Sequence, residues 1–258
     1  MIIQVNKNWW KDLFDETYLL TDARSVCDEE LTVREVNFLE KILKLEKAWP
    51  ILDLCGGHGR HALELSRRGF LRVTTLDYSK YLLYLGKQRA GQENLNTLFI
   101  LGDARCTGLC DESFQVIIIM GSSFGYFVQE EENQKILTEA FRLLVPAGKL
   151  FLDIPDRDYV LREFKCFTRH KIRDDIEIFR TRELEQNIIY CRERVTSASK
   201  GFIREKNYCT RLYGPEKISR LLLNVGFSKI TYKNDFMCRE AEGDYGTMTS
   251  RMVVVAEK

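Results

Sequence analysis

The stretch Ile51–Leu65, ILDLCGGHGRHALEL, runs a short apolar segment holding one acid, Asp53, into a glycine cluster and then into an amphipathic helix. A glycine turn between strand and helix lets a ligand approach main-chain N–H groups that no side chain shields. Gly57 to Ala62 satisfies the pattern G-x-G-x-x-A. Asp77 lies 20 residues after Gly57, at the end of the next apolar run, where an acid is expected to bind a ribose diol. The pairing predicts an adenosyl ligand at the carboxyl end of a sheet. It leaves open whether that ligand is a nicotinamide dinucleotide or S-adenosylmethionine.

Outward from this turn, "ILDL", "RVTTLD", "TLFILGD", "QVIIIM" and "KLFLDIP" read as five buried strands. The segments between them, "RHALELSRRG", "SKYLLYLGKQRAG" and "EEENQKILTEAFRLLVPAG", read as helices, with Gly69, Gly91 and Pro146-Ala147-Gly148 at their ends. Alternation of apolar strands with helices predicts a parallel sheet covered on both faces. After Pro155 apolar and charged residues alternate, as in antiparallel strands with one wet face. A helix from Pro215 to Val225 and two closing strands, "FSKITYK" and "RMVVVAEK", then return to the first sheet. The expected fold class is α/β: a doubly wound Rossmann-like sheet, mostly parallel with an antiparallel last strand, plus an inserted antiparallel β cap. Residues 1–258 form a single domain in this reading, with 1–49 as an N-terminal helical lid and 157–212 as the cap. The aromatic segment before the first strand, including Trp9, Trp10, Phe14 and Tyr18, fits either a helix across the sheet edge or rings closing over a ligand.

Composition narrows the class. Among 258 residues 45% are hydrophobic and 30% charged, and the formal charge is +1, so no global field draws nucleic acid or an acidic membrane. No apolar run is long enough to span a bilayer, and "MIIQVNKNWWKDLFDE" lacks the pattern of a signal peptide. With no secretion signal, the eight cysteines are expected as free thiols in the cytoplasm. Neither they nor the three histidines have metal-ligand spacing, so no metal is expected.

Three features separate the two ligands. Asp53 stands four residues before Gly57, where a carboxylate would repel a pyrophosphate but suits an ammonium and a sulfonium. "ILGDAR" places Asp103 and Ala104 at the end of the third strand, as acceptor and backbone amide for an adenine edge. "IIIMGSSFGYF" places Met120, Gly121 and two serine hydroxyls at the mouth of the fourth. At this point the chain resembles the class I S-adenosylmethionine-dependent methyltransferases of small-molecule type, most strongly from Ile51 to Pro155. The family's acid and G-x-G-x-G map onto Asp53, Cys55, Gly57 and Gly59, with Cys55 replacing the first glycine. Asp77 matches its ribose acid and Tyr78 the residue packed on adenine. Asp103 with Ala104 matches the adenine pair, and Met120 with Gly121 the turn beneath the methionine portion.

The resemblance implies S-adenosyl-L-methionine as cofactor, S-adenosyl-L-homocysteine as product, and methyl transfer to a small-molecule acceptor at nitrogen or oxygen. Trp10 and Tyr18 of the lid join the expected cofactor contacts, and Tyr18 and Tyr126 are placed by position to meet an acceptor, with a packed aromatic supporting the pocket floor as the alternative for each. The "GSSFG" turn lacks the Asp/Asn-Pro-Pro-aromatic tetrapeptide of nucleic-acid amino-methyltransferases. Methylation of RNA or protein and a non-catalytic cofactor-binding scaffold stand as alternatives. His58 and His61 read as structural, and Arg251 as a surface residue with anion binding as its alternative. The mixed charges of the cap read as a solvated face, with an anion grip or a homodimer surface as alternatives.

Overall fold

A computed structural model describes residues 2–172, 175–233, 236 and 249–258. The chain opens with a 3-10 turn, Trp9–Lys11, and the short helices α1 (Glu16–Thr21) and α2 (Ala23–Val26). Helix α3 (Glu29–Leu43) follows, with Asp28 as its N-cap accepting from the Leu31 amide at 2.9 Å. Strand β1 (Pro50–Leu54), α4 (Arg60–Arg67), β2 (Arg72–Asp77), α5 (Lys80–Gln92), β3 (Thr97–Leu101), β4 (Phe114–Ile119), α6 (Glu130–Leu143) and β5 (Leu144–Pro155) then alternate.

These strands are parallel to one another, and the chain winds first toward β3 and then back across β1 to β4 and β5. That reversal opens a crevice at the carboxyl ends of β1 and β4, where ligands bind in such sheets. Both sheet faces are covered, which is why the strands are apolar throughout. Leu52, Ile117 and Leu152 pack against Ile136 and Leu137 of α6. On the opposite face Ile51, Ile118 and Phe151 meet Val36, Leu39 and Leu43 of α3. Each such fully buried leucine contributes about 1.5–3 kcal/mol.

Two boundaries differ from the sequence expectation. Pro146-Ala147-Gly148 is not a helix end: α6 stops at Leu143 and β5 begins at once. Leu144 pairs with Phe114 and Lys149 with Val116, so the residues between them bulge out of the ladder, where a proline costs no hydrogen bond. Within residues 1–49, α3 belongs to the packed helical layer, and the strand ends are covered by the segment from Trp9 to Val26.

After β5 come α7 (Arg157–Arg162), an element the alternation pattern did not signal, and the strands β6 (Phe167–Ile172), β7 (Ile176–Glu185), β8 (Ile188–Ser197) and β9 (Gly201–Arg211). They form a separate antiparallel sheet in simple order β6-β7-β8-β9. Gln186 and Asn187 both have positive φ, the two-residue turn that matches strand twist in a hairpin. Helix α8 (Pro215–Val225), β10 (Ser228–Lys233) and β11 (Arg251–Glu257) return to the first sheet, whose order is β10-β11-β5-β4-β1-β2-β3. Strand β11 is antiparallel to both neighbours.

The two sheets meet along a main-chain seam. The Arg211 N–H at the end of β9 donates to the Gly125 carbonyl at 2.7 Å, in the loop after β4. Gly125 has φ +105°, and a Cβ there would stand 2.6 Å from the Arg211 carbonyl oxygen. Side chains bind the N-terminal segment to the antiparallel sheet. Glu183 accepts from the Ile3 amide at 2.6 Å, and Lys206 pairs with Asp12 at 2.9 Å. Among the described residues no helix is long and apolar enough to cross a membrane.

Candidate functional site

The glycine turn is shaped by what lies under it. A Cβ on Gly56 would stand 2.6 Å from the Asp53 carboxyl carbon, and one on Gly59, at φ +72°, would stand 2.7 Å from the Phe99 ring. Cys55 takes the left-handed conformation too, at φ 61°, so a non-glycine residue carries the strain here. One side chain fixes the loop. Asp77 accepts from the Gly57 amide at 2.8 Å with one oxygen and from the Ser79 amide at 2.8 Å with the other. It thereby ties the loop after β1 to the loop after β2. Burial raises its carboxyl pKa, and these amide bonds act in the opposite direction.

Above the loop lies a cleft of about 690 Å³, part of it open to solvent. Of the residues singled out from sequence, Trp10, Tyr18, Cys55, Gly57, Asp77, Tyr78, Asp103, Ala104 and Tyr126 line it. Phe14, one of the N-terminal rings expected to pack on the sheet edge or close over a ligand, lines it too, and the structure adds Leu82 and Phe127, apolar residues whose aim no local pattern reveals. Trp10 sits edge-on to Tyr78 at 4.6 Å. Asp103 is held by Arg105, which donates to it from its backbone amide at 2.9 Å and from Nη2 at 2.6 Å. Burial opposes ionisation of Asp103, but Arg105 prevails and holds the carboxyl below its usual range. The same guanidinium stacks over Trp10 and Phe127, at 4.9 and 4.6 Å from their ring centres. This fits an adenosine: aromatic walls, one acid beside a backbone amide, and a second acid with lone pairs left for a diol.

A second cavity, of about 890 Å³ and also open at one side, adjoins the first and shares Phe14, Tyr18 and Tyr126 with it. Aromatic rings form one wall. Phe14 stacks on Tyr126 at 5.6 Å, and Trp9 meets Tyr126 at 5.2 Å and Tyr208 at 5.8 Å. The other wall is charged, and here the solvated-face reading of the cap is corrected for one face of the sheet, while Arg169, Lys171, Arg192, Arg194 and Glu205 are exposed as expected. Arg180, Glu193 and Arg204 of β7, β8 and β9 are 4%, 2% and 8% exposed and point inward. Glu193 accepts from Arg180 Nε at 2.8 Å and from Arg204 Nη2 at 2.8 Å. Arg180 Nη2 also reaches both oxygens of Asp22, at 3.2 and 3.1 Å, and Arg204 Nη1 reaches Asp15 at 2.6 Å. Burial pushes the Tyr18 and Tyr126 hydroxyls upward, so both are protonated at neutral pH.

Four expected site residues fall elsewhere. Gly121 borders the second cavity only, and Asp53, Gly59 and Met120 line neither. Asp53 is fully buried beneath the loop, so it does not present its charge to a ligand as the sequence argument supposed. Burial raises its carboxyl to about pH 7, with Asp77 and Glu35 adding repulsion against the pull of Arg60. It borders a charge cluster centred on Glu35, which pairs with Arg60, His61 at 2.8 Å, and Arg251. Arg251 also binds Asp153 at 2.7 Å, and Asp153 accepts from the Gly121 amide at 2.8 Å. Arg251 is 1% exposed, which corrects the surface reading: its strand is interior, so its charge must be met inside the protein. His61 is structural, as expected. Burial and then Arg60 lower its pKa to about 4.

Known proteins resemble this chain in the same places. Residues 51–148 match the family model described as a methyltransferase domain. A glycine/sarcosine N-methyltransferase of Aphanothece halophytica is 30% identical over 207 residues, covering 78% of this chain and 75% of that protein. One of Halorhodospira halochloris is 25% identical over 258 residues, covering 96% and 85%. Among solved structures, the CcbJ methyltransferase from Streptomyces caelestis superposes with a TM-score of 0.77 at 17% identity, over 97% of this chain and 98% of that one. The S-adenosylmethionine-bound CalS10, an amino pentose methyltransferase from Micromonospora echinaspora, gives 0.70 at 16% identity over 95% and 98%.

Proposed function

The chain belongs to the class I S-adenosylmethionine-dependent methyltransferases, with S-adenosylmethionine as its cofactor, and we propose that it methylates a small molecule at an amine nitrogen. The observation that carries the acceptor reading is the second cavity, enclosed between the aromatic N-terminal segment and the charged face of the antiparallel sheet. It is a cavity open at one side, lying beside the cofactor cleft. The N-methyltransferase names of the relatives favour nitrogen over oxygen.

In this reading Asp77 holds the ribose diol, Asp103 and Ala104 the adenine edge, and Trp10 and Tyr78 its faces. Cys55 and Gly57 lie along the methionine portion. When bound, the cofactor supplies an electrophilic methyl on a sulfonium. The chain's part is to hold the amine in line with that methyl and keep water out, a contribution of as much as about 7–11 kcal/mol. Tyr18 and Tyr126, common to both cavities, are the acceptor-positioning residues. Protonated phenols can accept a hydrogen bond from the amine and donate one to its neighbours, but they do not take its proton. The amine therefore enters neutral, or loses its proton to a carboxylate such as Asp22 or to water.

Calorimetry with S-adenosylmethionine and S-adenosylhomocysteine, then release of the latter from a panel of amines and matched alcohols, tests the proposal. Turnover of amines supports it. Cofactor binding with turnover of alcohols alone, or of RNA or protein alone, overturns the acceptor assignment.

A further inference from the structure

Asp22 occupies an unusual position on the wall of the second cavity. Arg180, which it touches, is buried and has a fixed partner in Glu193, itself 2% exposed. Asp22 is the looser of the two: its side chain is 33% exposed, its contacts to Arg180 are 3.1 and 3.2 Å, and it belongs to the N-terminal segment rather than to the sheet. Its other polar contact is the Thr21 hydroxyl at 2.7 Å, supplied by its own chain neighbour. The cavity thus contains a guanidinium facing a planar carboxylate that is not built into the sheet. Arg182, also on this wall, donates to Thr168 at 3.1 Å.

We propose that the acceptor is an amine bearing a carboxylate, and that this carboxylate takes the place of Asp22 on Arg180. The inference rests on the small-molecule amine reading above and narrows it. Exchanging one carboxylate for another leaves the charge on the buried guanidinium balanced, so the usual penalty for desolvating an anion is largely met in advance. Asp22, once displaced, has solvent on its exposed side. Fixing the acceptor's carboxylate at Arg180 leaves its amine to reach toward Tyr18 and Tyr126, where the two cavities join.

The test is equilibrium binding to the complex with S-adenosylhomocysteine. Glycine and larger amino acids are compared with their amides, by calorimetry, in wild type, Asp22→Asn and Arg180→Met. The acids are expected to bind roughly 10–100-fold more tightly than the amides, the worth of one charged hydrogen-bonded contact. Asp22→Asn should tighten the acids several-fold and leave the amides unchanged, because the competitor is gone. Arg180→Met should abolish the preference, and Asp22→Asn keeps the test decisive even if that variant folds poorly. Equal binding of acids and amides, no binding of either, or weaker binding of acids to Asp22→Asn overturns the proposal. These binding results are read separately from turnover, so an enzyme that binds carboxylates but methylates only alcohols would sink the amine reading alone.

Discussion

Two charge networks, one packed under the main sheet's α3 face and one on the wall of the second cavity, differ in how their members meet water. The inner one, Glu35 with Arg60, His61, Arg251 and Asp153, is buried throughout, with Glu35, Arg251 and Asp153 at 0–1% exposure. The outer one, Glu193 with Arg180 and Arg204, is buried at its centre but ends in Asp15 and Asp22, which are 43% and 33% exposed. Uniform burial means that no member of the inner network can leave without stranding another, so it can only hold α3, α4, β5 and β11 together. Graded burial allows the outer network to exchange its peripheral carboxylates. Similar ionic chemistry is structural in one place and available to a ligand in the other.

The contrast can be broken most forcefully at Glu35. Glu35→Leu leaves two buried guanidinium groups short of a partner and should cost about 3–5 kcal/mol in chemical denaturation. A loss below about 1 kcal/mol would show that the inner network is not structural. A pH experiment sharpens the comparison next. The Asp53 carboxyl titrates near pH 7 when folded, against about 3.9 in an unfolded chain. A raised pKa contributes stability that is full below pH ~4 and is lost as pH climbs through 7. Asp53→Asn escapes this, so its stability relative to wild type should rise between pH 5 and pH 8, by up to about 2.6 kcal/mol. Parallel curves for the two proteins would place the Asp53 titration elsewhere.

Smaller effects belong to the ligand side. Asp77→Ala removes both amide anchors and the proposed diol acceptor, and should weaken S-adenosylhomocysteine binding roughly 10–100-fold. An unchanged affinity would remove Asp77 from the site. Asp15→Ala loses the N-cap bond to the Tyr18 amide and the pairing to Arg204, for a cost of about 1 kcal/mol in thermal or urea unfolding. A cost comparable to that of Glu35→Leu would mean that the outer network is as rigid as the inner.

How much of this the sequence reveals depends on whether a feature is local. The five parallel strands, α8 and both closing strands are legible because apolar runs and turn residues mark them within a few positions. Asp77, Tyr78, Asp103 and Ala104 are legible because strand ends in this topology converge on one crevice. Asp53 and Arg251 are misread for a shared reason. Both sit at strand ends, but register turns Asp53 beneath the loop and Arg251 toward Glu35 and Asp153, and no local pattern states which face is wet when both are covered. Arg180, Glu193 and Arg204 are missed as a group because each is an ordinary charged residue in an alternating strand. Only the lateral pairing of β7, β8 and β9 brings them together.

The junction at Gly125 and Arg211 has a consequence for engineering. It joins the two sheets through main-chain atoms and the missing side chain of one glycine, so it does not depend on the letters of β6, β7 or β8. The outward-facing positions of those strands can be rewritten while Glu183, Arg180 and Glu193, which hold the N-terminal segment over the crevice, are kept. A chimera that preserves this contact and those side chains is the economical route to a new substrate range.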